Sequence, residues 1–407
     1  MESLIEKLKS LGVSIGEKNL EINPPEKFSL ETIIKGEWLY DSLGDVYKVH
    51  KLFPPGYTHG RFNLAPDFPV CKVLKMSSIQ EASIQLQDIL FMDTETTGLS
   101  GGTGTMAFLV GLGYFSITGF NVDQFFLVDP IDEMGLLSTL SNQVRKFKLM
   151  ISFNGTSFDM PLLKTRFLLN RMNSPLSDLA HLDLLYLSRK IWGLHLQSLK
   201  LRDLENEILG FTREGDEVPG WMVPQVYFDF VRSRDARLLK GVIYHNCMDV
   251  LSLAFIFSYV CDLFLDPIEN EKVSQLEILS IARLIEKSGY IEESNLLYQF
   301  TFQNGLLENL SAKTLFHFGL VCKQQNHLEI ALEFWKKAFE KGDYLAAIEI
   351  SKYYEHHTKD YQNAKFWAQS SLDLINRDNF NNNVENCHKQ KTINRLIRIE
   401  DKILKKI

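Results

Sequence analysis

Two carboxylates, Asp93 and Glu95, follow the apolar run of residues 89–92 and lead directly into a Thr/Gly turn. Side chains two positions apart on a β-strand point to the same face, so this spacing places the two carboxylates side by side. Neighbouring carboxylates repel each other unless a cation lies between them, and carboxylate oxygens are ligands that suit Mg²⁺ or Mn²⁺. The pair therefore predicts half of a site for divalent metal ions.

Two later segments supply further acids. Asp159 stands near the start of a predicted helix that follows a second β-type run and Asn154. His245 and Asp249 are four residues apart in a long helical stretch, which places both side chains on one helix face. Four acids on three separated elements are typical of two divalent ions about 3.5–4 Å apart that promote attack on a phosphodiester.

Each of these residues has an ordinary structural interpretation when it is considered alone. Asp93 is then a turn residue at a strand end, and Asp159 is a helix cap. His245 is then a partly buried helical histidine, and Asp249 is a solvated helix residue. Their order and context favour the joint metal-site interpretation, because chance rarely produces all three segments in one chain.

The three segments together resemble the DEDD exonucleases of the ribonuclease H-like fold, whose motifs supply Asp-x-Glu, Asp and Asp in this order. Residues 154–161 are similar to the second motif of family-B polymerase proofreading domains. The Gly-Gly-Thr-Gly-Thr segment at 101–105 makes the chain resemble most closely the YprB-type ribonuclease H-like proteins, over roughly residues 30–265. The resemblance implies a 3′→5′ exonuclease that hydrolyses single-stranded DNA or RNA with two divalent ions, Mg²⁺ or Mn²⁺.

The resemblance also implies roles for individual residues of this chain. The expected metal ligands are Asp93, Glu95, Asp159 and Asp249. The expected general base is His245. The expected substrate-binding residues are Thr94, Thr96, Leu99, Asn154 and Phe158.

The position of the base departs from the pattern of the DEDD enzymes. Those enzymes carry either a Tyr four residues before the last Asp or a His five residues before it. Here His245 stands at the four-residue position and Tyr244 at the five-residue position. An imidazole titrates near neutrality and can take a proton from water, whereas a phenol needs a large pKa shift. We therefore expect His245 rather than Tyr244 to act as the base.

Composition and charge limit the class of protein. The 407 residues are 45% hydrophobic, which is enough for two or three domains with well-formed cores. A net charge of −7 does not fit a protein that coats nucleic acid electrostatically. The five scattered cysteines lack a CxxC pattern and indicate a reducing compartment. Without a signal peptide or an apolar stretch of about 18 residues, we expect a cytoplasmic protein with no membrane association.

The order of the predicted elements matches an α/β ribonuclease H-like domain, with a mixed five-stranded sheet flanked by helices. The predicted strands are 89–93, 106–114, 121–128, 149–153 and 182–186. The predicted helices are 132–145, 161–170, 197–209 and 235–264. Residues 86–266 are expected to form this exonuclease domain, and residues 1–85 a separate N-terminal extension with a small β unit.

Three further features of the central domain have two interpretations each. Asp183 is an accessory acid or, as we expect, a residue that caps or pairs. Trp221 can stack on a base, but we expect it to be buried. A third feature is a group of basic residues that either bind nucleic acid or form solvated helix faces. The members of this group are Lys164, Arg166, Arg171, Arg189, Lys190, Lys200 and Arg202.

Residues 267–407 are expected to form an all-α domain of degenerate helical repeats. The spacing of Gly319, Ala331 and Ala338 resembles a tetratricopeptide repeat. Single helix pairs cannot bury their apolar faces, so we expect three stacked pairs, a polar segment at 376–391 and a last helix. Such an array binds a protein partner or buttresses the neighbouring domain, and both interpretations stay open.

Two alternative functions also stay open. A structure-selective endonuclease would use the same metal site in a cleft that is open at both ends. A non-catalytic nucleic-acid-binding scaffold organised by the repeats is disfavoured, because all four acids are present. The sequence separates neither DNA from RNA nor exonuclease from endonuclease action.

Overall fold

The computed structural model describes most of the chain from residue 28 to residue 404. The segments that it does not describe are 1–27, 66–67, 78, 80–83, 99–102, 194–195, 214–217, 271–272, 304–309, 325, 378–382 and 405–407. The chain divides into two compact units. The first unit comprises residues 1–189 and 197–265, and the second comprises residues 190–196 and 266–407.

The first unit is built around a mixed β-sheet. The strands of the unit are β1 (Glu37–Leu39), β2 (Val46–Phe53), β3 (Thr58–His59), β4 (Phe62–Asn63), β5 (Ile89–Thr96), β6 (Ala107–Ser116), β7 (Gly119–Phe126), β8 (Leu149–Ser152) and β9 (Ala180–Asp183). In the described part of the chain the main sheet has seven strands in the order β1-β2-β7-β6-β5-β8-β9, and β3 pairs with β4. Strand β5 is antiparallel to β6 and parallel to β8, so the first acidic motif lies in the middle of the sheet.

Helices cover this sheet. They are α1 (Leu30–Ile33), α2 (Cys71–Met76), α3 (Glu133–Val144), α4 (Asp159–Leu169), α5 (Leu184–Trp192), α6 (Leu201–Leu204), α7 (Val223–Ser233) and α8 (Leu239–Leu265). A π-helical turn, Glu205–Leu209, continues directly from α6. A mixed sheet with flanking helices confirms the predicted α/β class.

The separate β unit that the sequence suggests within residues 1–85 is not what the structure shows. Strand β2 pairs along its length with β7, from Tyr47 opposite Phe126 to Phe53 opposite Phe120, and β1 adds to β2. The two N-terminal strands therefore extend the central sheet from five to seven strands. The physical reason is that the outer edge of β7 presents unpaired backbone groups that a further strand satisfies.

One shorter element also differs from the sequence prediction. The strand predicted at 182–186 ends at Asp183. The Asp183 carboxylate accepts the Leu185 amide at 3.0 Å and so caps helix α5, which begins at Leu184. Pro224 occupies the first turn of α7, where its missing amide hydrogen costs no helical hydrogen bond.

Helix α8 crosses β5, β6 and β7 and forms the central helix of the core. Its approach requires glycine on β6, since a Cβ atom on Gly111 would lie 2.3 Å from Oδ1 of Asn246 and 2.8 Å from Val250. Contrary to the sequence prediction, this helix is long and apolar enough to cross a membrane, with a mean hydropathy of 1.8. However, 78% of the 18-residue apolar stretch in this helix is buried inside the protein, as is usual for a core helix.

The second unit is helical. Its helices are α9 (Gln275–Lys287), α10 (Ile291–Gln303), α11 (Ala312–Gln324), α12 (Leu328–Glu340), α13 (Tyr344–Tyr353), α14 (Tyr361–Arg377) and α15 (Asn383–Leu404). Consecutive helices pack as pairs, and the small residues singled out in the sequence lie at their contacts. A Cβ atom on Gly319 would lie 2.3 Å from the Trp335 indole nitrogen, so α11 and α12 meet closely only with glycine there. The last helix begins at Asn383, inside the polar segment expected at 376–391.

Candidate metal centre

The first two acids lie at the end of β5, in the middle of the sheet. Asp93 and Glu95 are two positions apart on the strand, and a β-bulge between Glu95 and Thr96 shifts the register with β6. The side-chain amide of Asn246 on α8 donates to Oδ2 of Asp93 at 2.9 Å and to its backbone carbonyl at 3.2 Å. Gln124 on β7 in turn donates to Oδ1 of Asn246 at 2.9 Å. Asp93 is thus held in place by a neutral hydrogen-bonded chain.

The third acid, Asp159, is the first residue of α4. The Thr94 hydroxyl donates a hydrogen bond to Oδ1 of Asp159, which joins the start of α4 to the strand that carries Asp93. Gly155 makes this approach possible, because a Cβ atom there would lie 2.2 Å from the Ser152 hydroxyl and 3.1 Å from Oδ2 of Asp159.

The turn between β8 and α4 is held by Asp183. The Asp183 carboxylate accepts the backbone amides of Asn154 at 2.8 Å and Thr156 at 3.2 Å. Asn154 has a φ of 63°, a left-handed conformation that Asn tolerates better than most residues. Asp183 therefore caps backbone amides, one of the two ordinary roles expected from the sequence, and it fixes the loop that presents Asp159.

Helix α8 supplies the fourth acid and the histidine. The Nε2 atom of His245 lies 3.3 Å from Oδ2 of Asp249, as expected for residues four apart on one helix face. Ligand atoms of Glu95, His245 and Asp249 all lie within 4.8 Å of one another. Tyr244 instead lines a cavity with Gln124 and Cys247. The structure thus brings β5 and α8 together at one place.

A buried ion pair next to these residues was not anticipated from the sequence. Arg213 donates from Nε to Glu205 at 2.8 Å and from Nη2 to the other Glu205 oxygen at 2.5 Å. The same guanidinium donates from Nη2 to Oδ1 of Asp249 and from Nη1 to Nδ1 of His245 at 2.8 Å. The side chains of Arg213 and Glu205 are 2% and 1% exposed. Asn246 was also missed, although a polar residue inside an apolar helix is a recognisable signal.

The four acids act on each other electrostatically. Burial raises the pKa of Asp93 well above its usual range, and the charges of Asp249, Glu95 and Asp159 raise it further. Burial, with Asp249 and Asp159 next, raises the pKa of Glu95 to about 8. Burial likewise raises the pKa of Asp159. In the absence of a cation, therefore, the folded protein disfavours the fully ionised cluster.

The donor set fits divalent metal ions. Asp93, Glu95, Asp159 and Asp249 offer carboxylate oxygens, the ligands that Mg²⁺ and Mn²⁺ prefer. Burial is the first cause of the raised pKa values of Asp93 and Glu95, and the charges of neighbouring acids are the next, so bound cations would stabilise the ionised carboxylates here. Glu95, His245 and Asp249 therefore form a possible acidic metal-binding cluster, and Asp93 and Asp159 lie close enough to interact with its charges.

Of the expected substrate-binding residues, Thr94 stands between Asp93 and Glu95 on β5, and Phe158 directly precedes Asp159. Thr96 donates its hydroxyl to the carbonyl of Gly98 at 2.8 Å, and Thr94 is already bonded to Asp159. Phe158 is 54% exposed. Leu99 lies outside the described residues, as do the glycines at 101–102.

The structure revises one expectation about the surface and bears on one interpretation that the sequence left open. Trp221, expected to be buried, is 72% exposed. Arg166 does not belong to an open basic cluster, because it pairs with Glu133 at 2.5 and 2.6 Å and also donates to the Thr103 carbonyl.

In the absence of metal ions, we expect the stability of the protein to fall as the pH rises from about 4.5 towards 8. An unfolded glutamate loses its proton near 4.5, whereas the pKa of folded Glu95 is about 8. The folded state therefore binds more protons within this window, so a rise in pH favours unfolding. Thermal unfolding in EDTA at pH 5 and pH 8 measures the effect. The difference should shrink in Glu95→Gln, and an equal difference in that variant would contradict the assignment.

The fold and the cluster can be compared with known proteins. A model of the RNase H superfamily matches residues 90–261, the region that contains all four acids and His245. The first unit is therefore a ribonuclease H-like domain with a nuclease-type fold. The chain is also 31% identical over 345 residues to the uncharacterized protein YprB of Bacillus subtilis (strain 168), an alignment that covers 79% of this chain and 78% of the relative. The chain belongs to the YprB-type family of ribonuclease H-like proteins.

A solved structure gives a weaker likeness. The family B DNA polymerase from the hyperthermophilic archaeon Pyrobaculum calidifontis aligns with a TM-score of 0.36 and 13% identity. The alignment covers 60% of this chain and 33% of the polymerase, so this chain spans about a third of the polymerase's length. This likeness is too low to transfer any property of the polymerase.

Proposed function

We propose that the protein is a metal-dependent nuclease of the DEDD type that acts as a 3′→5′ exonuclease on single-stranded DNA or RNA. The observation that carries the proposal is the convergence of acids from β5, α4 and α8 within a ribonuclease H-like domain. The raised pKa of Asp93, caused by burial and by the charges of three other acids, supports a site that needs cations.

In the proposed mechanism Asp93, Glu95, Asp159 and Asp249 hold two divalent ions, Mg²⁺ or Mn²⁺. Such ions supply Lewis-acid chemistry, which activates water and stabilises charge on the phosphodiester. The protein contributes the positions of the ligands. Asn246 fixes Asp93 and Thr94 fixes Asp159, so neither carboxylate has to be ordered during the reaction.

His245 is proposed to accept the proton of the attacking water. In the structure its Nδ1 atom accepts from Arg213, so the neutral ring carries its proton on Nε2, towards Asp249. Proton uptake therefore requires the hydrogen bond from Arg213 to open. Without that opening, the ring orients Asp249 and bulk water takes the proton.

The 3′-terminal nucleotide is proposed to lie against the loop after β5 and the start of α4. The exposed Phe158 ring beside Asp159 can stack on a base, and one such contact stabilises a single strand by roughly 1–3 kcal/mol. Thr94, Thr96, Leu99 and Asn154 complete the proposed substrate-binding set.

Digestion of single-stranded DNA and RNA labelled at the 5′ end tests the proposal. We expect the labelled strand to shorten one nucleotide at a time in Mn²⁺, as a regular ladder from the first time points. Internal fragments appearing first would indicate an endonuclease instead. Binding without cleavage of either substrate would favour the non-catalytic scaffold.

A further inference from the structure

The guanidinium of Arg213 touches both candidate site residues of α8. It contacts Oδ1 of Asp249 through Nη2 and Nδ1 of His245 through Nη1 at 2.8 Å. From these contacts we infer that Arg213 is a positioning residue that orients Asp249 for metal binding. The inference rests on the proposed function, because it concerns how the same cluster holds its ions.

The orientation of Arg213 itself is set by Glu205. Two parallel hydrogen bonds, from Nε and Nη2, hold the plane of the guanidinium against this buried carboxylate. Ser252 on α8 hydrogen-bonds to Glu205, and its hydroxyl lies 2.9 Å from Nε2 of His59. Burial, together with the Arg213 charge, lowers the pKa of His59 to about 4, so His59 is neutral near pH 7. Arg213 therefore has one defined direction.

The fixed orientation of the Arg213 guanidinium also orients the Asp249 carboxylate. Nη2 of Arg213 contacts Oδ1 and Nε2 of His245 lies 3.3 Å from Oδ2, so the carboxylate is held from both sides and a cation can bind only at the lone pairs that remain. Asp93 and Asp159 are held instead by neutral donors, Asn246 and Thr94. Asp249 is thus the acid of the cluster that is fixed by a charged partner, and that partner is itself neutralised by Glu205.

The charge-balanced double variant Glu205→Gln/Arg213→Gln tests this role. It removes one positive and one negative charge, so the net charge of the region is unchanged. The hydrogen bonds that fix the guanidinium of Arg213 against Glu205 and Asp249 are lost. Titration with Mn²⁺, followed by electron paramagnetic resonance, measures metal binding directly without any substrate. We expect the weaker of the two Mn²⁺ affinities to fall roughly 10- to 100-fold, as is typical when a partner behind a metal ligand is lost.

Arg213→Lys separates positioning from charge. A lysine keeps the positive charge but cannot make the planar, multiple contacts of a guanidinium, so we expect it to lose most of the same Mn²⁺ affinity. Wild-type Mn²⁺ binding in Arg213→Lys would overturn the inference and leave Arg213 a counter-charge only. This variant also keeps the test decisive if the double variant fails to fold.

A matched control exists in the same unit. Arg166 and Glu133 form a similar two-bond pair at 2.5 and 2.6 Å, with side chains that are mostly buried. Glu133→Gln/Arg166→Gln should lower the thermal stability but leave Mn²⁺ binding unchanged. An equal loss of Mn²⁺ affinity in both double variants would mean general destabilisation and would overturn the inference. A wild-type protein that binds two Mn²⁺ ions but cleaves nothing would contradict the proposed nuclease alone.

Discussion

Replacing Asp93 with asparagine is expected to lower Mn²⁺-dependent hydrolysis of single-stranded nucleic acid by at least about 10³-fold, while the protein stays folded. Asp93 is the acid whose pKa is raised by burial and by the charges of all three other acids, so its carboxylate faces the whole cluster. Asparagine keeps the shape and can still accept the hydrogen bond from Asn246, but it removes one anionic metal ligand.

Cleavage rates and thermal melting of the same preparations check this expectation. Asp249→Asn should lose activity to a similar extent, whereas Asp235→Asn removes a carboxylate that pairs with Arg237 elsewhere in the unit and should retain full activity. In EDTA, Asp93→Asn should melt no lower than the wild type, because the mutation relieves repulsion among the acids. Undiminished turnover in Asp93→Asn or Asp249→Asn would end the two-metal proposal.

Replacing His245 with phenylalanine is expected to lower the rate near neutral pH by about 10²- to 10⁴-fold, the usual contribution of a general base. The Nε2 atom of His245 lies 3.3 Å from Oδ2 of Asp249, so the ring lies beside a proposed metal ligand, and its Nδ1 atom can accept a proton once the hydrogen bond from Arg213 opens. The matched variant Tyr244→Phe should change the rate little, because Tyr244 lines a cavity with Gln124 and Cys247 instead.

The pH–rate profiles of the two variants, together with His245→Gln, separate the possible roles of the ring. Glutamine can donate a hydrogen bond to Asp249 but cannot act as a base near neutrality. A wild-type rate in His245→Gln would show that the ring only orients Asp249. An unchanged rate in His245→Phe would point to Tyr244 or to bulk water as the proton acceptor.

The acids of the cluster could be predicted because the repeat of a strand or a helix determines which nearby side chains share a face. Asp93 and Glu95 share a face by the two-residue repeat of a strand, and His245 and Asp249 share one by the four-residue repeat of a helix. The turn before Asp159 was also recognisable from Asn154, which adopts the left-handed conformation that such turns use. The class of the central domain followed from the order of these elements.

The partners of those acids could not be predicted in the same way. Arg213 lies 36 positions before Asp249 and 8 after Glu205, in a segment without a repeating pattern, so only the folded chain brings these side chains together. Strand β2 presents a similar case, since it pairs with the distant strand β7, with His50 and Asp123 separated by 73 residues. Pairing across such distances depends on which sheet edge is free, and a local pattern does not record that.

The most direct test of the central claim is the position of bound metal. Crystals soaked in Mn²⁺ and measured at the manganese absorption edge should show two anomalous peaks about 3.5–4 Å apart, lying among Asp93, Glu95, Asp159 and Asp249. Peaks that lie elsewhere, or the lack of any peak at this cluster at millimolar Mn²⁺, would contradict the account.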